Sequence, residues 1–143
     1  MEFDWPLIFK NAGTLGIAYV LALPVAWHRE VHSPSAGLRT FPLTAIAACG
    51  FALLGLNLFT DEQAQSRLME GLITGIGFIG GGAILKSDSQ VSGTATAAGL
   101  WATGAIGLAV AGGRYEIAIL ISTVTFITFA LFKPVKSKLH HED

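Results

Sequence analysis

Gly75-Ile76-Gly77-Phe78-Ile79-Gly80-Gly81-Gly82-Ala83-Ile84-Leu85-Lys86 and, a short interval later, Thr96-Ala97-Ala98-Gly99-Leu100-Trp101-Ala102-Thr103-Gly104-Ala105-Ile106-Gly107 are the stretches that decide the fold. In water each helical glycine costs about 1 kcal/mol relative to alanine. Between membrane helices the same small residues let backbones approach and gain dispersion contacts. Two glycine-rich runs this apolar therefore belong in lipid. The rest of the chain agrees: of 143 residues 52% are hydrophobic and 13% charged, and the mean hydropathy is +0.58. A soluble domain carries about 25% charged residues. The expected fold is all-α, a polytopic transmembrane bundle of about five helices with glycine-rich third and fourth members. Residues 1–132 form its membrane domain and 133–143 a short basic cytoplasmic tail.

Outward from the glycine runs, five apolar segments can be marked: Leu7 to Trp27, Leu43 to Phe59, Gly71 to Leu85, Ala95 to Gly112 and Ile117 to Phe132. A bilayer core of about 30 Å takes about 20 helical residues, and the third segment is too short alone. Thr60 and Gln63 have capping-box spacing, so the third helix is expected to begin near Asp61 and run through Gln63 to Glu70 before entering lipid. Five crossings put Arg29, Arg39, Lys86, Lys133, Lys136 and Lys138 on one side and Arg67 and Arg114 on the other. The positive-inside rule then places the N-terminus outside and the C-terminus in the cytoplasm. The acidic start, Glu2 and Asp4, is unlike a secretory signal, so the first segment is expected to stay as an anchor. Pro24 is expected to interrupt the first helix near its cytoplasmic end. Cys49 alone builds neither a disulfide nor a thiolate metal site. The indole of Trp101 is expected to find a partner inside the bundle.

Most motif readings fall away on context. Gly75-Ile76-Gly77-Phe78-Ile79-Gly80 has dinucleotide-loop spacing, but no strand precedes it and its glycines would sit in hydrocarbon. His28 and His32 share a helix face, yet Glu30 stands at the third position of that pentapeptide where a zinc protease needs it at the second. Neither a catalytic set, nor a metal site, nor a nucleic-acid motif remains. What does recur is steric. Gly71 and Gly75, and Gly77 and Gly81, are four apart, and Ala95, Gly99, Thr103, Gly107 and Ala111 form an unbroken stripe, with Ala18, Ala22 and Ala26 repeating the spacing in the first helix. Gly75, Gly77, Gly80, Gly81, Gly82, Gly99, Thr103 and Gly107 are thus the candidate packing or oligomerisation residues. Sequence does not separate packing within the chain from a dimer interface. The polar candidates are Asn57, Glu70, Arg39 and Trp101, polar and ionisable groups in or near the membrane being functional candidates by default. Glu70, three residues from Arg67, is also placed for a local ion pair.

Three blocks go beyond generic membrane character: Ala36-Gly37-Leu38-Arg39-Thr40, Gly75 to Leu85, and Thr96-Ala97-Ala98-Gly99-Leu100-Trp101-Ala102-Thr103-Gly104-Ala105-Ile106-Gly107-Leu108-Ala109. In this order and spacing, over residues 26 to 112, the chain resembles the MgtC/SapB family. The resemblance implies a bacterial inner-membrane protein linked to magnesium limitation and, in pathogens, to survival in macrophages. It also implies a regulator that works through protein partners, the membrane ATP synthase among them. Two departures bear on that: His28 stands where the family usually has an acidic residue, and Gly71, beside Glu70, where it usually has glutamine. Long members carry a soluble C-terminal domain, and regulation through one is not expected here. The expected activity is that of a non-enzymatic regulator or interaction module, homodimeric, partnered by lipid and another inner-membrane protein but not nucleic acid. No cofactor is expected beyond a weak magnesium interaction. The alternative is a magnesium or other cation transporter or channel component, with Glu70, Asn57 and the triple glycine near the ion.

Overall fold

A computed structural model describes residues 3–32, 36–86 and 91–139, the last eight as backbone. Five helices and one short hairpin follow in order: α1 Trp5–His32, α2 Thr40–Leu58, α3 Glu62–Gly82, β1 Leu85–Lys86, β2 Val91–Ser92, α4 Thr94–Ala111 and α5 Tyr115–Leu139. The five expected segments are thus five helices. Three of them, α1, α2 and α4, are long and apolar enough to cross a membrane. The 18 residues of α4 rise about 27 Å and the 19 of α2 about 28 Å, close to the hydrocarbon thickness. α3, carrying Glu62, Arg67 and Glu70, falls short in hydropathy, and α5 offers a shorter apolar stretch, Tyr115–Leu131.

Several boundaries differ from expectation. Pro24 does not interrupt α1, which stays helical for 28 residues to His32. α5 passes the expected boundary at 132 and continues to Leu139. α3 does start beside Asp61, but Asp61 itself is the cap: its extended backbone directs the carboxylate to accept from the Ala64 amide at 3.0 Å. An acidic side chain at the last extended position, one residue nearer the helix, takes the cap in place of the Thr60–Gln63 box. The hairpin between α3 and α4 was not anticipated, since two residues per strand leave no alternation to read; Leu85 pairs with Ser92 and Lys86 with Val91.

α4 is the axis of the bundle, packed on each of the other four helices. Its glycines explain why. A Cβ on Gly107 would overlap the Ala45 carbonyl oxygen and lie 2.9 Å from the Cys49 nitrogen, so the backbones of α2 and α4 touch there. Ile76 of α3 fills the space beside Gly104. Ala18, Ala22 and Ala26 are fully buried on the inner face of α1, and the Ser122 hydroxyl of α5 donates to the Leu21 carbonyl at 2.6 Å, joining α5 to α1. Two turns need positive φ. Gly93, at φ 84, caps α4 where a Cβ would meet the Ala83 carbonyl. Gly113, at φ 70, closes α4 in a Schellman turn, with Arg114 donating to Ala109 O and Gly113 to Val110 O.

Candidate functional site

The C-terminal turn of α1 meets the first turn of α4 and the stretch of α5 around Phe126 and Phe129 to form a polar and aromatic cluster. Arg29 of α1 donates from Nη2 to the hydroxyl of Thr96, 67 residues away in α4. Its guanidinium carbon lies 5.0 Å from the centroid of the Phe129 ring. Thr96 is fully buried. His28 lies parallel to Phe129, with ring centroids 6.4 Å apart, and edge-on to Phe126 at 6.0 Å. His32 stacks on His28 at 4.4 Å and its Nδ1 lies 2.9 Å from the His28 carbonyl oxygen.

Glycine makes this arrangement fit. A Cβ on Gly99 would fall 2.7 Å from Phe129 Cζ and 3.0 Å from Phe41 Cε1, so the bare backbone admits both rings, and Phe129 then carries Arg29 and His28. On the other side of α1, the Glu30 carboxylate accepts from the Leu38 amide at 2.9 Å, and Gly37 has no room for a side chain against it. The turn into α2 is therefore fastened to the end of α1. Residues from two motif blocks, Gly37-Leu38 and Thr96 to Gly99, converge here on Arg29 and Glu30. A cation stacked on a ring and bonded to a buried hydroxyl is worth up to about 2 kcal/mol from the ring when desolvated. The cluster thus fixes the register of three helices.

None of the four polar candidates belongs to it. Arg39 is exposed at the N-cap of α2. Asn57 is exposed and donates to the Leu53 carbonyl at 2.6 Å. Trp101 is 54% exposed on the outer face of α4 and does not reach into the bundle, because the inner face is taken by Leu100, Thr103 and Gly104. Glu70 is exposed, its carbonyl accepting from Thr74 at 2.8 Å. The local pair expected between Arg67 and Glu70 does not form; the ion pair among the described residues is Arg114–Glu116 at 2.6 Å. Residues 140–143 of the expected basic tail lie outside the described residues. Among the described residues no three His, Cys, Asp or Glu side chains converge.

The packing candidates divide by helix. Gly99 and Gly107 are consumed by contacts within the chain, and Thr103 is buried with its hydroxyl donating to the Gly99 carbonyl at 2.8 Å. In α3 only Gly80 is engaged, 3.2 Å from the Ala97 carbonyl oxygen by its would-be Cβ, while Gly71, Gly75, Gly77, Gly81 and Gly82 face open space. Glu70, Thr74, Gly77 and Gly81 recur at i, i+4, i+7 and i+11 and so share one exposed face. Gly75 points about 200° away from Gly77 around the helix, toward α2.

The sequence matches the MgtC family model over residues 15–138. Among curated relatives, a protein named SapB from Bacillus subtilis is 32% identical over 90% of this chain and 61% of its own. A protein named putative magnesium transporter YhiD from Escherichia coli K12 is 29% identical over 89% and 62%. Protein MgtC of Brucella abortus is 29% identical over 96% and 58%. The chain thus spans little more than half the length of the curated relatives it matches. No solved structure matches.

Proposed function

The chain belongs to the MgtC family, and from that premise we infer that it is a non-enzymatic interaction module of the bacterial inner membrane, acting in adaptation to low magnesium. The observation that carries this is the contrast between its small-residue helices. The glycines of α4 and the alanines of α1 are filled by neighbours within the chain, whereas α3 buries only Ile76 and Gly80 and offers the face Glu70, Thr74, Gly77 and Gly81 to another molecule. A smooth face of this kind gains dispersion contact only when a second helix lies on it, and a carboxylate on it favours a polar or basic partner residue over acyl chains. A second copy of the chain is one such partner, giving a homodimer. The membrane ATP synthase, suggested by the family resemblance, is the other. The N-terminus lies outside and the C-terminus in the cytoplasm on this reading, and no cofactor takes part.

One observation favours a second reading, movement of magnesium or another cation: a relative bears the name putative magnesium transporter. Against it, the buried hydroxyls of Thr44, Thr103 and Ser122 each donate to a backbone carbonyl. Two measurements separate the readings. Cysteines placed at Gly77 and Gly81 in a Cys49→Ala background should cross-link to a reproducible membrane partner or a second copy in native membranes, while purified protein in liposomes passes no magnesium. Magnesium flux that disappears in Glu70→Gln would overturn the module and establish the carrier.

A further inference from the structure

Between α2 and α3 lies an open groove of about 500 Å³. Its floor and walls are apolar: Ala47 and Phe51 from α2, Leu68, Gly71, Leu72 and Gly75 from α3. It exists because Gly71 and Gly75 carry no side chains to fill it; a Cβ at either would meet nothing within 4 Å. Arg67 is the one charged residue on its lining, at the end nearest the α2–α3 turn. That guanidinium is exposed and makes no ion pair among the described residues. Asp61 shares a neighbouring hollow with Arg67, but its carboxylate is turned to the Ala64 amide.

Size and charge together choose the occupant. From Arg67 to Ile79 the groove follows α3 for about 18 Å, and a helix of ~10 Å diameter lying within that length would fill roughly 1,400 Å³. Counting all the empty space along its open side, about 960 Å³, the groove is about two-thirds of that, so a helix from a second copy could seat only part of its width in it. One flexible hydrocarbon chain fits inside, in the size range of ordinary ligand sites, about 300–1,000 Å³. A basic group at the mouth selects what is attached to the chain. We propose that this groove is a site for one anionic phospholipid, an acyl chain seated along Gly71 and Gly75 and the phosphate held by Arg67. Its apolar lining at Gly71 and Gly75 is turned away from the partner face at Gly77 and Gly81, while Arg67 borders the Glu70 and Thr74 end of that face.

Native mass spectrometry of the protein released from nanodiscs containing phosphatidylglycerol and phosphatidylethanolamine tests this directly. Wild type should retain one phosphatidylglycerol per chain. Arg67→Gln should lower its preference over phosphatidylethanolamine about fivefold, the factor one basic side chain beside an anionic lipid is worth, and Arg67→Lys should restore most of it. Gly75→Leu, or Ala47→Leu from the opposite wall, should expel the lipid, whereas Gly77→Leu should not. Equal retention of both lipids by wild type, an unchanged preference in Arg67→Gln, or lipid retained in both groove-filling variants would overturn the site. So would loss of a dimer, with lipid retained, on filling the groove.

Discussion

Adding one methyl group at Gly107 and at Gly77 should have opposite effects, although both are glycines within apolar helices. In water, glycine to alanine favours a helix by about 1 kcal/mol. At Gly77 nothing stands within 4 Å, so that gain is realised. At Gly107 the new Cβ would overlap the Ala45 carbonyl oxygen, lie 2.9 Å from the Cys49 nitrogen and 3.0 Å from the Ala48 Cβ. Two of those three atoms are backbone, which no rotamer change can move, so α2 and α4 must separate along their length. Overpacking of a close contact costs up to about 3 kcal/mol. After the propensity gain the net loss is about 2 kcal/mol, a factor of about thirty in the folded population at 1.4 kcal/mol per decade. Unfolding in mixed micelles of rising denaturing-detergent fraction, followed by circular dichroism at low protein concentration, reads both variants. Gly107→Ala should unfold well before wild type and Gly77→Ala at or after it. Equal stability of the two variants would refute the assignment of packed and open glycines.

Two further substitutions probe the ends of the helices. Asp61→Ala should cost about 1 kcal/mol through loss of the α3 cap, with faster hydrogen exchange at Ala64, while Thr60→Ala leaves that amide unchanged; the reverse order would restore Thr60 as the cap. Thr96→Val removes the acceptor that Arg29 uses and should destabilise by about 2 kcal/mol, the scale of a hydrogen bond to a charged group, with Thr96→Ser close to wild type in thermal unfolding; a stable Thr96→Val would mean that this bond does not hold the end of α1 to α4.

Hydrophobic length made five helices legible, and the polar residues around Asp61 placed the start of α3. What one chain cannot disclose is which neighbour a small residue has. Gly77 and Gly107 look alike in sequence because spacing reports a smooth face, not what covers it. The same limit hid the cluster at the end of α1. Arg29 and Thr96 are 67 positions apart, and no periodicity joins them; the one available signal is that both lie within the span of the family resemblance, residues 26 to 112. Depth misled at Trp101, where a central position along the helix said nothing of which way the indole turns. Pro24 failed to end α1 because tertiary contacts of Val25 and Ala26, both fully buried, outweigh the lost backbone bond.

Of the 21 residues of α3, two are buried, and the helix is joined to the next by a hairpin of two residues per strand. So lightly anchored an arm has the least to lose by opening, and local unfolding draws on such elements first. The buried hydrophobic clusters are built from α1, α2, α4 and α5, so a change of associate along α3 need not cost the protein its core.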